Sequence, residues 1–318
     1  MNAYSGSREA FAQALIDISE KDSRTLFVSA DSLKAMRAAE FARRFPDRYI
    51  EVGIAEQNAV NVAAGLASCG LVPFVGTYAG FITMRACEQL RTFVAYPGLN
   101  VKLIGINGGM LGGEREGVTH QFFEDLGIVR SIPGITVLTP ADPYQVYGAV
   151  VKSMEIEGPV YIRCASGREP VVYGPDLPFT FARNRIVREY GRDLAVFSSG
   201  FILNKAVEAV DSLNGKGIRA TLVDVSTLKP ADEEGTVKIL SECKAAVTVE
   251  DHNVIGGLGS AIAEAAARHC PVPVENVGLQ DIFPESGEAN ALLEKYGISA
   301  DSIMQAAVKV LARKKNLS

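Results

Sequence analysis

The stretch RYIEVGIAEQNAVNVAAGLASCGLVPFVG, residues 48–76, decides the fold. Residues 48–52 mix aromatic, branched and charged side chains in the manner of a short strand. Residues 55–69 are rich in small helix formers and stop at Gly70, a residue suited to closing a helix. Residues 72–76 are strand-like again. A strand, a helix and a second strand within roughly thirty residues form a βαβ unit, which makes a parallel pair of strands.

The alternation continues on both sides. Upstream, Ser7 followed by Phe11, Leu15 and Ile18 reads as a capped helix with an apolar stripe, and residues 25–29 as a buried strand. Downstream come a helix over 80–95, a strand over 101–106 and a glycine-rich loop over 107–117. A strand at 135–138, a helix after Asp142-Pro143 and a strand at 160–163 follow. Gly167, Pro170, Gly174, Pro175, Pro178 and Gly191 then break the rhythm, marking a linker. Strands at 194–198, 219–225, 245–249 and 273–277 restart it, with helices between and after them. The expectation is two open, mainly parallel-sheet α/β domains, 1–170 and 191–318, joined by a linker over 171–190.

Composition excludes several classes. Of 318 residues, 47% are apolar and 22% charged, ample for buried cores. The net charge of −5 gives no reason to expect nucleic acid or an anionic membrane as partner. Five scattered cysteines without a CxxC pair point to reduced thiols, hence neither a disulfide framework nor a zinc site. Residues 1–7 are small and polar, unlike a secretory leader, and no apolar run approaches the ~20 residues of a membrane span. The expected setting is the cytoplasm.

Glu56 begins the helix of the deciding stretch. An acidic residue in a first turn is favourable through the helix dipole alone. Its neighbours Gly53, Ile54 and Ala55 offer no charge partner, however, and the helix behind is small enough for close packing. The following strand ends in Gly76-Thr77-Tyr78-Ala79-Gly80-Phe81, which places two aromatics at the carboxyl edge where open α/β sheets bind ligands. On spacing alone, ordinary core packing under the sheet is the better reading of Tyr78 and Phe81.

The segment 45–58, FPDRYIEVGIAEQN, resembles the pyrimidine-binding domain of the transketolase family, as does the order of elements from there to Arg163. Residues 190–318 resemble that family's C-terminal domain. The resemblance implies thiamine diphosphate as cofactor, with Glu56 hydrogen-bonded to N1′ of its aminopyrimidine. That contact favours the tautomer able to take the proton from the thiazolium C2. It further implies that Tyr78 and Phe81 stack on the pyrimidine and that Ile54 lies beside it. The chain contains no Gly-Asp-Gly, the family's usual element for holding Mg²⁺ or Ca²⁺ against the diphosphate. A separate N-terminal, diphosphate-binding subunit carrying that element is therefore expected, in an α2β2 arrangement with the cofactor between chains.

On the substrate side, four glycines of the loop precede Glu114, and the loop leads into Glu116-Gly117-Val118-Thr119-His120. By resemblance His120 and Glu116 face a sugar or sugar-phosphate substrate, His120 donating hydrogen bonds or moving a proton, and Arg163 holds a substrate phosphate. Three departures concern the substrate. Many transketolases have Asp-Gly-Pro-Thr-His here, a histidine where this chain has Gly108, and a small serine turn where it has Ser32-Leu33-Lys34.

Gly256-Gly257-Leu258-Gly259 is a poor dinucleotide fingerprint, because Asp251 to Ile255 separate it from its strand and Ile262 stands where a small residue belongs. His252 reads as structural or interfacial. The reading favoured is the C-terminal subunit of a transketolase that moves a two-carbon ketol unit from a ketose to an aldose. Rivals are a deoxyxylulose-phosphate-synthase-like chain, a 2-oxoacid dehydrogenase E1 β-type subunit, and a non-catalytic module that binds a partner without turnover.

Overall fold

The computed structural model describes residues 4–113, 115–167 and 169–316, so part of the segment read for a leader lies outside the described residues. The chain opens with α1 (Ser7–Ser19), β1 (Thr25–Ser29), α2 (Ala39–Arg44) and β2 (Tyr49–Glu51). It continues through α3 (Glu56–Ser68), β3 (Val72–Tyr78), α4 (Cys87–Gln89), β4 (Lys102–Ile106), α5 (Asp125–Ser131) and β5 (Thr136–Leu138). Then come α6 (Pro143–Ser153), β6 (Val160–Arg163), β7 (Arg185–Glu189), β8 (Leu194–Ser198), α7 (Leu203–Gly215) and β9 (Ala220–Asp224). The last part holds β10 (Thr227–Lys229), α8 (Glu233–Cys243), β11 (Ala246–Asn253), α9 (Leu258–His269), β12 (Val274–Leu279), α10 (Ala289–Lys295) and α11 (Ala300–Lys315).

The expected α/β class holds. The strands form two sheets, ordered β10-β5-β6-β4-β3-β1-β2 and β12-β11-β8-β9-β7. All neighbours are parallel except β10 against β5 and β7 against β9. In the first sheet Tyr78 pairs with Ile106, and Gly105 with Arg163. The carboxyl ends of β3, β4 and β6 therefore finish level, and the segments after them converge on one edge.

Four features differ from the sequence reading. The residues read as a linker end in β7, an edge strand whose half-buried side chains do not alternate cleanly. The strand β10 crosses from the second half to extend the first sheet, with Thr227 opposite Leu138. The helix expected over 80–95 contains π-helical turns at Phe81–Arg85 and Leu90–Ala95. Such turns often mark functional sites. Ser7, expected as a cap, instead donates from its backbone N–H and hydroxyl to the Glu169 carboxylate at 3.0 and 2.8 Å.

The halves are not independently packed. One buried cluster runs from Val60 and Ala63 of α3 through Leu103 to Phe197, Val223 and Leu240. Asp142 ties the linker stretch to the first half, capping α6 through Gln145 N–H (2.9 Å) and accepting from Val172 and Tyr173 N–H. Among the described residues no helix is long and apolar enough to cross a membrane. The five cysteines are unbridged.

Candidate active site

Glu56 is the first residue of α3, and Ala55 before it supplies no side-chain cap. A carboxylate there meets the positive end of the helix. Its side chain is 7% exposed, and Oε1 accepts a hydrogen bond from Arg85 Nη1 at 3.1 Å. The residues just before Glu56 offer no charge partner, and the one it has comes from a distant segment. Arg85 arrives from the π-helical turn, out of reach of any local sequence argument. The Arg85 guanidinium also lies over the Phe81 ring, 3.6 Å from its centroid. Beside Glu56, Ile54 is 77% exposed, an uncovered apolar side chain at the mouth of the site.

The aromatic pair comes together as expected, and His120 joins it. Tyr78 and Phe81 have ring centroids 5.3 Å apart. The His120 ring stands edge-on to both, 5.2 Å from Tyr78 and 5.3 Å from Phe81. Phe122, which the sequence reading did not single out, packs edge-on against Phe81 at 5.2 Å. Gly80 is required here, since a Cβ would lie 2.0 Å from the Phe122 ring. The His120 Nδ1 lies 3.1 Å from the Thr119 hydroxyl. This leaves a continuous series from carboxylate to guanidinium to aromatic wall to imidazole. Glu116 is on the same loop, with its side chain exposed.

Arg163 does not take the role expected of it. It is 4% exposed, and its Nε and Nη2 meet the two oxygens of Asp125 at 2.9 and 3.0 Å. Nη2 also donates to the carbonyls of Phe122 (3.1 Å) and Asp251 (2.9 Å). A guanidinium bound in this way faces the interior and is not presented to a substrate phosphate. The same geometry explains Gly108. A Cβ at that position would sit 2.5 Å from Arg163 Nε, so the site of the family's histidine is filled by the arginine's stem.

The other discounted motifs also resolve. Leu258 and Gly259 N–H at the start of α9 donate to Glu250 at 2.7 and 2.8 Å, so the chain's own glutamate occupies the place of a dinucleotide phosphate. His252 is fully buried; its Nε2 accepts from Gly127 N–H at 3.2 Å and its Nδ1 lies 2.6 Å from Asn253 O. These partners assign the neutral Nδ1–H tautomer. Burial pushes its pKa down to about 4. His252 is a structural link between the halves.

A buried carboxylate at a helix start, an aromatic wall whose two rings are tilted 54° to each other and an uncovered isoleucine fit the aminopyrimidine of thiamine diphosphate, the cofactor implied by resemblance. Among the described residues no group of three or more His, Cys, Asp or Glu is placed to hold a metal ion.

Residues 5–167 match the family model for the transketolase pyrimidine binding domain, and residues 182–303 that for the transketolase C-terminal domain. The chain is 39% identical to a 6-deoxy-6-sulfo-D-fructose transketolase subunit of a Clostridium species, over 96% of this chain and 95% of that one. It is 32% identical to an apulose-4-phosphate transketolase subunit of Phocaeicola vulgatus, over 96% and 97% of the respective chains. A solved split-gene transketolase, an inactive beta4 tetramer, superposes with a TM-score of 0.89 at 39% identity, covering 98% of this chain and all of that one. The chain belongs to the transketolase family and carries its pyrimidine-binding and C-terminal domains.

Proposed function

We propose that the chain is the C-terminal subunit of a two-subunit, thiamine diphosphate-dependent transketolase, moving a two-carbon ketol unit from a ketose or ketose phosphate to an aldose. The observation that carries this reading is the meeting of Glu56, Tyr78, Phe81 and His120 at one sheet edge. Thiamine diphosphate, when bound, supplies a nucleophilic thiazolium carbon and an electron sink. Glu56 would hydrogen-bond N1′ of the aminopyrimidine, and its near-complete burial would strengthen that bond. Tyr78 and Phe81 give the ring an apolar aromatic wall, and Ile54 covers its edge. His120 reaches the substrate oxygens, where it donates hydrogen bonds or moves a proton. Glu116, on the same loop, contacts a substrate hydroxyl.

The two relatives matched over nearly their whole length are named as transketolase subunits, which disfavours the synthase-like, E1 β-type and non-catalytic readings. A partner subunit fits this reading because, among the described residues, no group of three or more His, Cys, Asp or Glu is placed to hold a metal ion and the sequence has no Gly-Asp-Gly. It is the N-terminal, Gly-Asp-Gly-containing subunit, holding Mg²⁺ or Ca²⁺, in an α2β2 assembly in the cytoplasm. Arg163 is removed from the proposed substrate contacts. The test is reconstitution: the chain and its partner are purified separately and mixed with thiamine diphosphate, Mg²⁺, and a panel of ketose donors and aldehyde acceptors. Ketol transfer by the mixture and none by either chain is expected. Tight cofactor binding and full turnover by the lone chain would sink the shared-site reading.

A further inference from the structure

The loop that leads to His120 is gripped by a carboxylate from the second half of the molecule. Asp251 lies near the carboxyl end of β11 and is buried. Its Oδ1 accepts from Met110 N–H at 2.9 Å, and its Oδ2 from Leu111 N–H at 3.4 Å. The loop approaches so closely only because residue 109 is glycine. Gly109 has φ +88°, and a Cβ there would stand 2.1 Å from Asp251 Oδ2.

From that grip a short chain of backbone bonds reaches the aromatic site. Gly109 N–H donates to Phe122 O at 2.7 Å, and Phe122 N–H returns a bond to Gly109 O at 3.0 Å. Phe122 is two residues beyond His120 and packs on Phe81. The strand carrying Asp251 fixes the far side of the same segment. Its backbone carbonyl receives Arg163, which also holds Phe122 O, and Asn253 N–H donates to Phe123 O at 2.8 Å. Burial raises the Asp251 carboxyl's pKa and Arg163 draws it back down.

We propose that Asp251 is a positioning residue for ketol transfer: by clamping the Gly109–Leu111 turn it sets the height of His120 and Phe122 against the Tyr78–Phe81 wall. It touches neither substrate nor cofactor, and the proposal rests on the reading that His120 faces the substrate. Misplacement of a catalytic group by about 1 Å costs up to about 100-fold in rate.

The test is Asp251→Asn in the reconstituted complex, with D-fructose 6-phosphate as the ketose probe. Asparagine keeps the shape and one acceptor but turns an amide toward a backbone N–H. Expected is a fall in kcat of about 10- to 100-fold, with the Kd for thiamine diphosphate within about twofold of wild type. A second variant, Gly109→Ala, presses on the same contact from the loop side. The double variant should lose no more than the worse single one. A further readout is free of turnover. The chain has three histidines, His120, His252 and His269. With labelled histidine in the full chain, Asp251→Asn should shift or broaden the His120 ring resonance and leave that of His269 alone. Unchanged kcat together with an unchanged His120 resonance overturns the proposal. So does a loss of kcat matched by an equal loss of cofactor affinity and of melting temperature, which would mark a purely structural residue. If the wild-type complex transfers no ketol unit, the functional reading fails by itself, and the resonance still decides whether Asp251 positions His120.

Discussion

Arg85 Nη1 stands 3.1 Å from Glu56 Oε1 while its guanidinium plane covers the Phe81 ring at 3.6 Å. One side chain thus ties the residue proposed to activate the cofactor to the wall proposed to carry it. The link spans elements, from the first residue of α3 to the π-helical turn after β3. Arg85 is itself half exposed, so the pair sits at the mouth of the site and has little of the energy of a buried bridge.

Glu56→Gln in the reconstituted complex should lower ketol transfer by about 10²- to 10⁴-fold, the usual worth of a positioned acid–base group. Glutamine keeps the shape but does not share its proton in the same way. Far-ultraviolet circular dichroism and the melting curve should match wild type. Near-normal turnover in this variant removes Glu56 from the mechanism.

Arg85→Ala separates orientation from stability. The exposed arm of the pair limits its contribution to folding to less than about 1 kcal/mol, so the melting temperature should barely move. Thiamine diphosphate affinity of the complex, measured by calorimetry, should weaken several-fold because Glu56 loses its anchor and Phe81 loses its cover. An unchanged affinity would mean that the pair is ornamental to cofactor binding.

How far the sequence went can be judged at single residues. The placement of Glu56, Tyr78 and Phe81 at one sheet edge was legible because they stand at the ends of elements with clear periodicity, where parallel sheets open. Phe122 and Asp251 were not, because their roles arise from contacts between distant segments. Arg163 misled for a physical reason. Every residue of β6 is buried, so the strand has no polar face to tell which way its last side chain turns. Likewise β10 is too short and its pairing too remote for pattern to reveal it. The breaks through 167–191 correctly signalled an interruption but hid an edge strand, since edge strands show weak alternation.

Arg163 and Asp125 offer a clean test of that buried link. Arg163→Met leaves the fully buried Asp125 carboxylate with only the Tyr161 hydroxyl, 2.7 Å away, as an ionisable partner in its hydrogen-bond set. Loss of one partner of a buried pair should cost about 3–5 kcal/mol, read as a lowered urea midpoint. Adding Asp125→Leu should return part of that loss, because no stranded charge remains. If the double variant loses the full sum of the two singles, the pair is not coupled as drawn.

Lys102 sets a pH dependence of stability that can be isolated. It is fully buried at the start of β4, its Nζ donating to Ile156 O at 2.6 Å and Gly158 O at 3.1 Å. Burial pushes its pKa down to about 7, against a weaker opposing pull from Glu157. In the unfolded chain the same amine titrates near about 10.4. Between those values the unfolded chain keeps a proton that the folded chain has released, so stability rises with pH across the window. Below it both states are charged and the cost of burying the ammonium is constant. Asp224 and Glu250, both raised to about 7 by burial, act in the opposite sense, but only as pH climbs from the ordinary carboxylate range toward 7. Cys164 and Cys243, whose thiols burial also pushes up, lower stability above the ordinary thiol range, so Lys102 is read from the difference between wild type and Lys102→Met in urea midpoints at roughly pH 7.5 and pH 9.5. Wild type should gain stability relative to Lys102→Met over that interval, even though the variant strands two carbonyls and is less stable overall. Parallel curves for the two proteins would show that Lys102 stays charged in the fold, held by its two carbonyl acceptors.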